Sequence, residues 1–214
     1  MICTSIASMN FQEVKDLLAV CEMVELRIDS LDFSDSQLEE LIRGSKASIV
    51  STCRPGNKRT EAERVLLLCK TVEWGASWVD IEIECPSESK QAVRLAAHQK
   101  AELIISYHDY LRTPVRIELE SIVQQCFDEG ADVAKVACTV NSHKDAARIL
   151  GLYSHFTGIV ALGMGDLGKV TRISAPLLGA PFTFAAPDDG QKTAPGQLTT
   201  TELRELYAIL EKAK

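Results

Sequence analysis

The chain repeats one pattern eight times: a short apolar, β-branched run, then a longer stretch whose apolar positions recur at helical spacing. The runs begin near Ile2, Met23, Ser48, Trp78, Glu102, Asp132, Thr157 and Pro181, at intervals of 21 to 30 residues. Each interval is long enough for one crossover helix. The helical stretches carry their own start and stop signals. Asn10 precedes Val14, Leu17 and Leu18 on one face. Ser34-Asp35-Ser36-Gln37 and Thr60-Glu61-Ala62-Glu63 read as capping boxes, the second leading into Val65, Leu68, Cys69 and Val72 at i, i+3, i+4, i+7. Pro86-Ser87 opens a helix through Val93, Ala96 and Ala97. Thr113-Pro114 reads as a cap with proline in the first helical position, and that helix stops at Gly130, which suits a left-handed C′ residue. Asn141 or Ser142 starts the sixth helix. Asp166 starts the seventh, in which Pro176 disfavours the C-terminal half. Thr199-Thr200-Thr201-Glu202 caps the eighth.

Eight βα units across residues 1–214 predict an α/β chain folded as a single-domain (β/α)8 TIM barrel, compact against the ~250 residues usual for that fold. The alternative is an open doubly wound sheet, but no G-x-G-x-x-G or P-loop follows any of the runs. No linker or low-complexity tract interrupts the pattern, and nothing ahead of the first strand would make an N-terminal hairpin.

Composition narrows the function. Apolar residues make up 46% of the chain and charged residues 25%, ordinary for a globular protein, and the net charge is −7 with no basic block. Nucleic-acid binding needs clustered Lys and Arg and is disfavoured. No stretch approaches membrane-spanning length, and Met1-Ile2-Cys3-Thr4-Ser5 has neither the charge nor the apolar run of a signal peptide. Seven cysteines, with no CxxC and several inside apolar runs, point to buried free thiols in a reducing, cytoplasmic setting rather than to a metal site.

In a (β/α)8 barrel, chemistry sits at the C-terminal ends of the strands. Those ends here read Ser5; Glu25-Leu26-Arg27-Ile28-Asp29; Cys53-Arg54-Pro55; Asp80-Ile81-Glu82; Ser106-Tyr107-His108-Asp109; the run around Lys135; Met164; and the segment from Asp188 to Gln197. Lys135 lies within Ala131-Asp132-Val133-Ala134-Lys135-Val136-Ala137, an apolar run in which an amine is desolvated. Desolvation favours the neutral amine, which is a nucleophile for carbonyls; the plainer reading is a lysine whose stem packs while its head reaches water. Glu25, Arg27 and Asp29 share one face of the second strand. Three charges on an inward face bind something or pair with one another, and a structural ion-pair network satisfies them equally well. His108 at a strand end suits proton transfer, or is a structural imidazole bonded to Glu82 or to backbone. His98, His143 and His155 read as solvent-facing. A lysine, a histidine and an acid with no metal-ligand cluster point to imine chemistry on a ketone or aldehyde.

These ordered motifs resemble those of the type I 3-dehydroquinate dehydratases, Schiff-base enzymes of the shikimate pathway. The resemblance rests on Glu25-Leu26-Arg27-Ile28-Asp29, Cys53-Arg54, Asp80-Ile81-Glu82, Ser106-Tyr107-His108-Asp109, the Ala131–Ala137 run, Gly163-Met164-Gly165 through Gly168 to Arg172, and Thr193-Ala194-Pro195-Gly196-Gln197. It covers essentially the whole chain. It implies that Lys135 forms an imine with the C3 ketone of 3-dehydroquinate, that His108 moves the C2 proton, and that Glu82 orients His108. It further implies that Glu25, Arg27 and Arg54 hold ring hydroxyls and that Arg172 binds the carboxylate. Thr193 and Gln197 would come from a closing loop, Ser5 would contact the same end of the substrate, and Met164 would pack beside the imine. No metal or cofactor is implied. The resemblance admits a homodimer, and a fusion to or pairing with shikimate dehydrogenase.

The family usually has an acidic Glu-Gly-Gly-type stretch after the strand-three arginine. Here Arg54-Pro55-Gly56-Asn57-Lys58-Arg59-Thr60-Glu61 stands in its place, and no role passes to Glu61. No dinucleotide-binding unit follows the barrel, so a standalone enzyme and an excised domain are both compatible with the chain. A class I aldolase-type barrel and a non-catalytic ligand-binding barrel are the competing readings of the same residues.

Overall fold

A computed structural model describes residues 1–56, 58–188 and 192–212. Its strands are β1 (Ile2–Ile6), β2 (Met23–Arg27), β3 (Ser48–Thr52), β4 (Trp78–Glu82), β5 (Glu102–Asp109), β6 (Val133–Thr139), β7 (Ile159–Met164) and β8 (Thr183–Ala185). Between them run α1 (Phe11–Val20), α2 (Asp35–Gly44), α3 (Glu61–Trp74), α4 (Ser87–Ala97), α5 (Arg116–Asp128), α6 (His143–Gly151) and α7 (Lys169–Leu177), and α8 (Thr200–Lys212) follows β8. The strands pair in parallel in the order β7-β6-β5-β4-β3-β2-β1-β8. This is a (β/α)8 barrel. At the β7–β8 seam no ladder forms among the described residues, and the amide of Gly165 instead donates to the carbonyl of Pro195 at 3.0 Å.

The period-two alternation of the strands sorts the barrel interior into tiers. Cys3, Met23, Val50, Ile104, Val133 and Val160 form an apolar floor with Phe182 and Phe184. Two residues further along the same strands stand Ser5, Glu25, Thr52, Ser106, Lys135 and Leu162, so the polar side chains begin one tier above that floor. Outward-facing strand residues such as Val24, Leu26, Ile49, Val79, Ile81, Ile105, Ala134 and Val136 pack under the helices in a separate core.

The capping boxes at Asn10, Ser34 and Thr60 form, each with reciprocal side-chain and backbone bonds. The Thr199–Glu202 box forms as well. Gly130 adopts φ +94° after α5, and Ala131 N–H donates back to Cys126. Other boundaries differ from expectation. Thr113 does not cap α5: its hydroxyl donates to the Thr139 carbonyl, and the helix begins at Arg116 with Val115 in the cap position. Asp166 opens a three-residue 3-10 turn, and α7 starts at Lys169. Pro176 is tolerated because it falls in the last turn of α7. Strands six to eight begin one to two residues later than the apolar runs, at Val133, Ile159 and Thr183. The buried face of α3 is Arg64, Leu67, Leu68, Thr71 and Val72, rotated from the expected stripe so that an arginine lies on it. His98, His143 and His155 are exposed, as read from sequence.

Two close approaches of backbone position the end of β7. A Cβ on Gly168 would lie 2.5 Å from the carbonyl carbon of Gly163, and one on Gly163 would lie 2.8 Å from the Cα of Gly168. Glycine at both positions lets the start of α7, and with it Arg172, press against the strand. Gly168→Ala is expected to destabilise the protein by about 1–3 kcal/mol, because backbone and not a flexible side chain must yield. The urea midpoint checks it. Gly151→Ala, where nothing lies within 4 Å of the added carbon, is expected to hold or raise that midpoint, by about 0.5–1 kcal/mol at most.

Candidate active site

The polar tier at the C-terminal mouth is built around the amine of Lys135. Its Nζ donates to Asp80 Oδ2 at 2.9 Å and stands 3.6 Å from Glu25 Oε1. On its remaining side it lies 4.1 Å from the centroid of the Phe184 ring, a cation–π contact. Lys135 is 5% exposed and Asp80 is wholly buried, so the lysine head does not reach bulk water. Burial by itself would raise the carboxyl of Asp80, but Arg54 and Lys135 outweigh it and hold the group well below the usual carboxylate range. Burial likewise opposes ionisation of Glu25, and Lys135, Arg27 and Arg54 reverse the balance.

Every carboxylate in this tier is bonded on both sides. Glu25 accepts from Thr52 at 2.8 Å and from Ser5. Asp80 accepts from Ser106 at 2.6 Å and from both terminal nitrogens of Arg54, at 2.8 and 3.0 Å. Glu82 accepts from Arg54 at 2.5 Å and from Arg64 at 3.0 Å. Arg27 is held in a fork by Asp29, at 3.1 and 2.9 Å, and Asp29 also accepts the backbone N–H of Arg54. The inward charges of β2 therefore do pair, as the ion-pair reading expected, and they do so around a cavity.

That cavity is lined by Glu25, Arg27, Arg54, His108, Lys135, Met164, Arg172, Thr193 and Gln197 together with Tyr110 and Phe184. Ser5 lies just beneath it, wholly buried, accepting from the Thr193 hydroxyl at 2.9 Å. Eleven side chains named from sequence thus fall at one mouth, but Glu82 does not take its expected role. Its carboxylate is occupied by Arg54, Arg64 and Cys85, and no hydrogen bond joins it to His108 among the described residues. The reason is charge: a buried carboxylate takes guanidinium partners over a neutral imidazole. His108 instead stacks on Tyr110, with centroids 6.1 Å apart. Burial, then Arg54 and Lys135, push the imidazole well below its ordinary value, so it stands neutral.

Arg172 is the exception to the pairing. It is 2% exposed, its Nε has no hydrogen-bond partner among the described residues, and the one bond of its guanidinium to them is a 3.4 Å contact from Nη1 to the Phe184 carbonyl. Burial with no compensating carboxylate lowers it to about 10. A buried guanidinium in that state, open to a cavity, is an anion receptor.

The loop after β8 covers the cavity. Gln197 Oε1 accepts from the amides of Thr193 and Ala194, at 2.8 and 3.2 Å, which closes a turn. Gly196, at φ +75°, seats that turn so tightly that a Cβ there would lie 2.2 Å from the Gly165 carbonyl oxygen. With the loop seated, the enclosed space is about 50 Å³. Larger hollows of about 620 and 450 Å³ lie at the opposite end of the barrel and gather no comparable set of converging groups. Among the described residues no cluster of His, Cys, Asp or Glu is arranged to hold a metal ion.

Sequence reasoning gave no role to Asp80, Asp29, Ser106, Thr52, Phe184 or Arg64. Asp80 and Ser106 were within reach, since each lies two residues before a residue that was chosen. Arg64 had a weaker signal: it lies three and four residues ahead of Leu67 and Leu68, on the helix face that packs inward.

A buried amine, a neutral imidazole and a guanidinium without a carboxylate partner among the described residues meet at one mouth of the barrel. The sequence profile of the type I 3-dehydroquinases matches residues 2–214. A 3-dehydroquinate dehydratase of Desulfotalea psychrophila is 32% identical over 197 residues, covering 87% of this chain and 86% of the relative. Among solved structures, the type I 3-dehydroquinate dehydratase of Clostridium difficile superposes with a TM-score of 0.86 at 24% identity, over 100% of this chain and 92% of that one. The dehydroquinate dehydratase and shikimate dehydrogenase protein of S. pombe gives 0.80 at 22% identity, over 99% of this chain and 44% of that one; these two show the fold. The chain belongs to the type I 3-dehydroquinase family.

The state of His108 has a consequence for stability. The unfolded chain takes up a proton on this residue below about pH 6.5, whereas the folded protein resists doing so. The contribution is fully present above that pH and is lost as pH falls below it. The urea midpoint is therefore expected to drop between pH 7.5 and 5.5 by more in the wild type than in His108→Asn. Parallel curves would contradict the assignment.

Proposed function

We propose that this chain is a 3-dehydroquinate dehydratase that eliminates water from 3-dehydroquinate, giving 3-dehydroshikimate, through an imine on Lys135. The observation that carries the reading is the buried guanidinium of Arg172, without a carboxylate partner among the described residues, facing the same cavity as the Lys135 amine. One side chain suits the substrate carboxylate and the other its ketone.

Lys135 transfers a proton to His108 and attacks C3; His108 returns that proton to the former ketone oxygen, which leaves as water as the protonated imine forms, and the imidazole is neutral again. The protonated imine withdraws electrons, and His108 removes a proton from C2. The resulting enamine expels the C1 hydroxyl, which takes the proton from His108 and departs as water. Hydrolysis of the imine frees the product and restores the amine. Asp80 and Glu25 hold the lysine head and, once the imine is protonated, face a cation of the same charge. Phe184 lies against that cation on the apolar side. Arg27, Arg54 and Glu25 border the space for the ring hydroxyls, with Met164 beside the imine. The turn at Thr193–Gln197 excludes water, and the substrate enters when the turn lifts off Gly165, since about 50 Å³ is below the 300 Å³ at which ligand pockets commonly begin.

The barrel spanning residues 1–214 is read as the catalytic domain, in a cytoplasmic setting that fits seven free cysteines. No described helix is long and apolar enough to cross a membrane. A homodimer, and a partnership with shikimate dehydrogenase like the S. pombe arrangement, belong to this reading. A Schiff-base aldolase would share the lysine and the fold but leaves Arg172 and the loop after β8 without a task.

Incubation with 3-dehydroquinate is expected to produce the ultraviolet absorbance of the conjugated enone. Lys135→Ala abolishes that signal, and His108→Ala lowers kcat by about 10²–10⁴-fold. Arg172→Met raises KM about 10–100-fold, the loss of a charged hydrogen-bonded contact. Absence of the enone with the wild type, or full turnover by Lys135→Ala, rejects the reading.

A further inference from the structure

Arg64 is the largest side chain that the fold buries completely, and it is a cation on an outer helix. Helix α3 carries it inward beneath the mouth, at 1% exposure. Nε and Nη2 bind Glu61 at 3.0 Å each, closing the solvent side. Nη1 donates inward to two acceptors, the Cys53 carbonyl at 2.8 Å and Glu82 Oε2 at 3.0 Å, and Nη2 reaches Cys85 Sγ at 2.8 Å.

Both inward acceptors lead to Arg54. The Cys53 carbonyl belongs to the peptide that joins Cys53 to Arg54. The N–H of that peptide donates to Asp29 at 3.2 Å, so Arg64 and Asp29 grip the two polar sides of one peptide unit. Glu82 meets Arg64 with one oxygen and Arg54 with the other. The Arg54 guanidinium then reaches Asp80, and Asp80 holds Lys135. Arg64 touches neither the cavity nor the lysine, yet it fixes both the backbone and the guanidinium of the residue between them.

We propose that Arg64 is a positioning residue for the dehydration: through the Cys53 carbonyl and Glu82 it sets where Arg54 and Asp80 stand against Lys135. The role rests on the dehydratase reading above. A neutral or single-point replacement leaves Glu82 with Arg54 as its only arginine partner, and Arg54 is drawn away from Asp80. Arg172, on α7, lies across the barrel mouth, so the carboxylate contact is unaffected; Arg54 also borders the ring-hydroxyl space, so binding changes a little, but the larger loss falls on turnover.

The test compares wild type, R64K, R64M, E82Q and the double variants R64K/E82Q and R64M/E82Q, each first shown to be folded by circular dichroism and a urea transition. R64K keeps the charge, but one ammonium cannot span the Cys53 carbonyl, Glu82 and Cys85 together. The expected result is a kcat about 10–100-fold below wild type in R64K and R64M, the scale of a small misplacement at a reacting centre, with KM within about threefold. Each double variant should lose less than the product of its single losses, because Arg64 and Glu82 share the Arg54 guanidinium as a target while Arg64 also holds the Cys53 carbonyl. Wild-type kcat in folded R64K overturns the proposal, as do losses that multiply in the double variants. If R64M does not fold, R64K and R64K/E82Q decide the matter alone. A wild type that gives no enone sinks the dehydratase reading and this role with it, whereas an active wild type matched by R64K sinks this role only.

Discussion

The bond between Lys135 and Asp80, 2.9 Å long and closed off from solvent, is the constraint on which the mouth of this barrel depends. An ammonium and a carboxylate taken out of water cost several kcal/mol apiece unless each finds further partners. The surrounding residues supply them. Ser106 and Arg54 complete Asp80, Glu25 and Phe184 complete Lys135, Glu82 completes Arg54, and Arg64 completes Glu82 in turn. Each strand from β2 to β6 contributes at least one member through its inward-facing positions. The network is therefore a product of barrel closure: no two neighbouring strands could satisfy it alone.

This arrangement separates two tasks. The network fixes the lysine in place and keeps its carboxylate neighbours charged. His108 and Arg172 stand outside it. The imidazole stays neutral because burial and nearby cations oppose its protonation, and the guanidinium stays unpaired because no described carboxylate approaches it. These two groups are the ones with capacity left for a ligand, one for a proton and one for an anion. The glycines at 163, 168 and 196 serve the same end by allowing the backbone of the last two βα units to pack closely beside them.

The barrel was legible in the sequence because its signal is repetitive. Eight apolar runs at similar spacing, with helix caps between them, survive errors of one or two residues at each boundary. Part of the site was legible because period-two alternation assigns Glu25, Arg27 and Asp29 to one face, whereas Arg54, Met164, Arg172, Thr193 and Gln197 were named through the motifs that resemble the family. What the sequence could not supply was the choice among partners. Glu82 was expected to orient His108 because the resemblance implied it; the fold gives its carboxylate two arginine partners instead. Thr113 was expected to cap α5 by its sequence neighbours, but the end of β6 offers it a carbonyl. Arg64 was hidden because a cation on a buried helix face makes sense only once Glu82 and the Cys53 carbonyl are seen opposite it.

The central claim is that the Lys135 amine, held in this network, is the atom that bonds to the substrate. Mass spectrometry of the protein reduced with borohydride in the presence of 3-dehydroquinate, followed by peptide mapping, tests it directly. The account predicts one covalent adduct of a reduced ligand imine, on the peptide containing Lys135 and absent from Lys135→Ala. An adduct on another lysine, or turnover with no trapped species on Lys135, would contradict it.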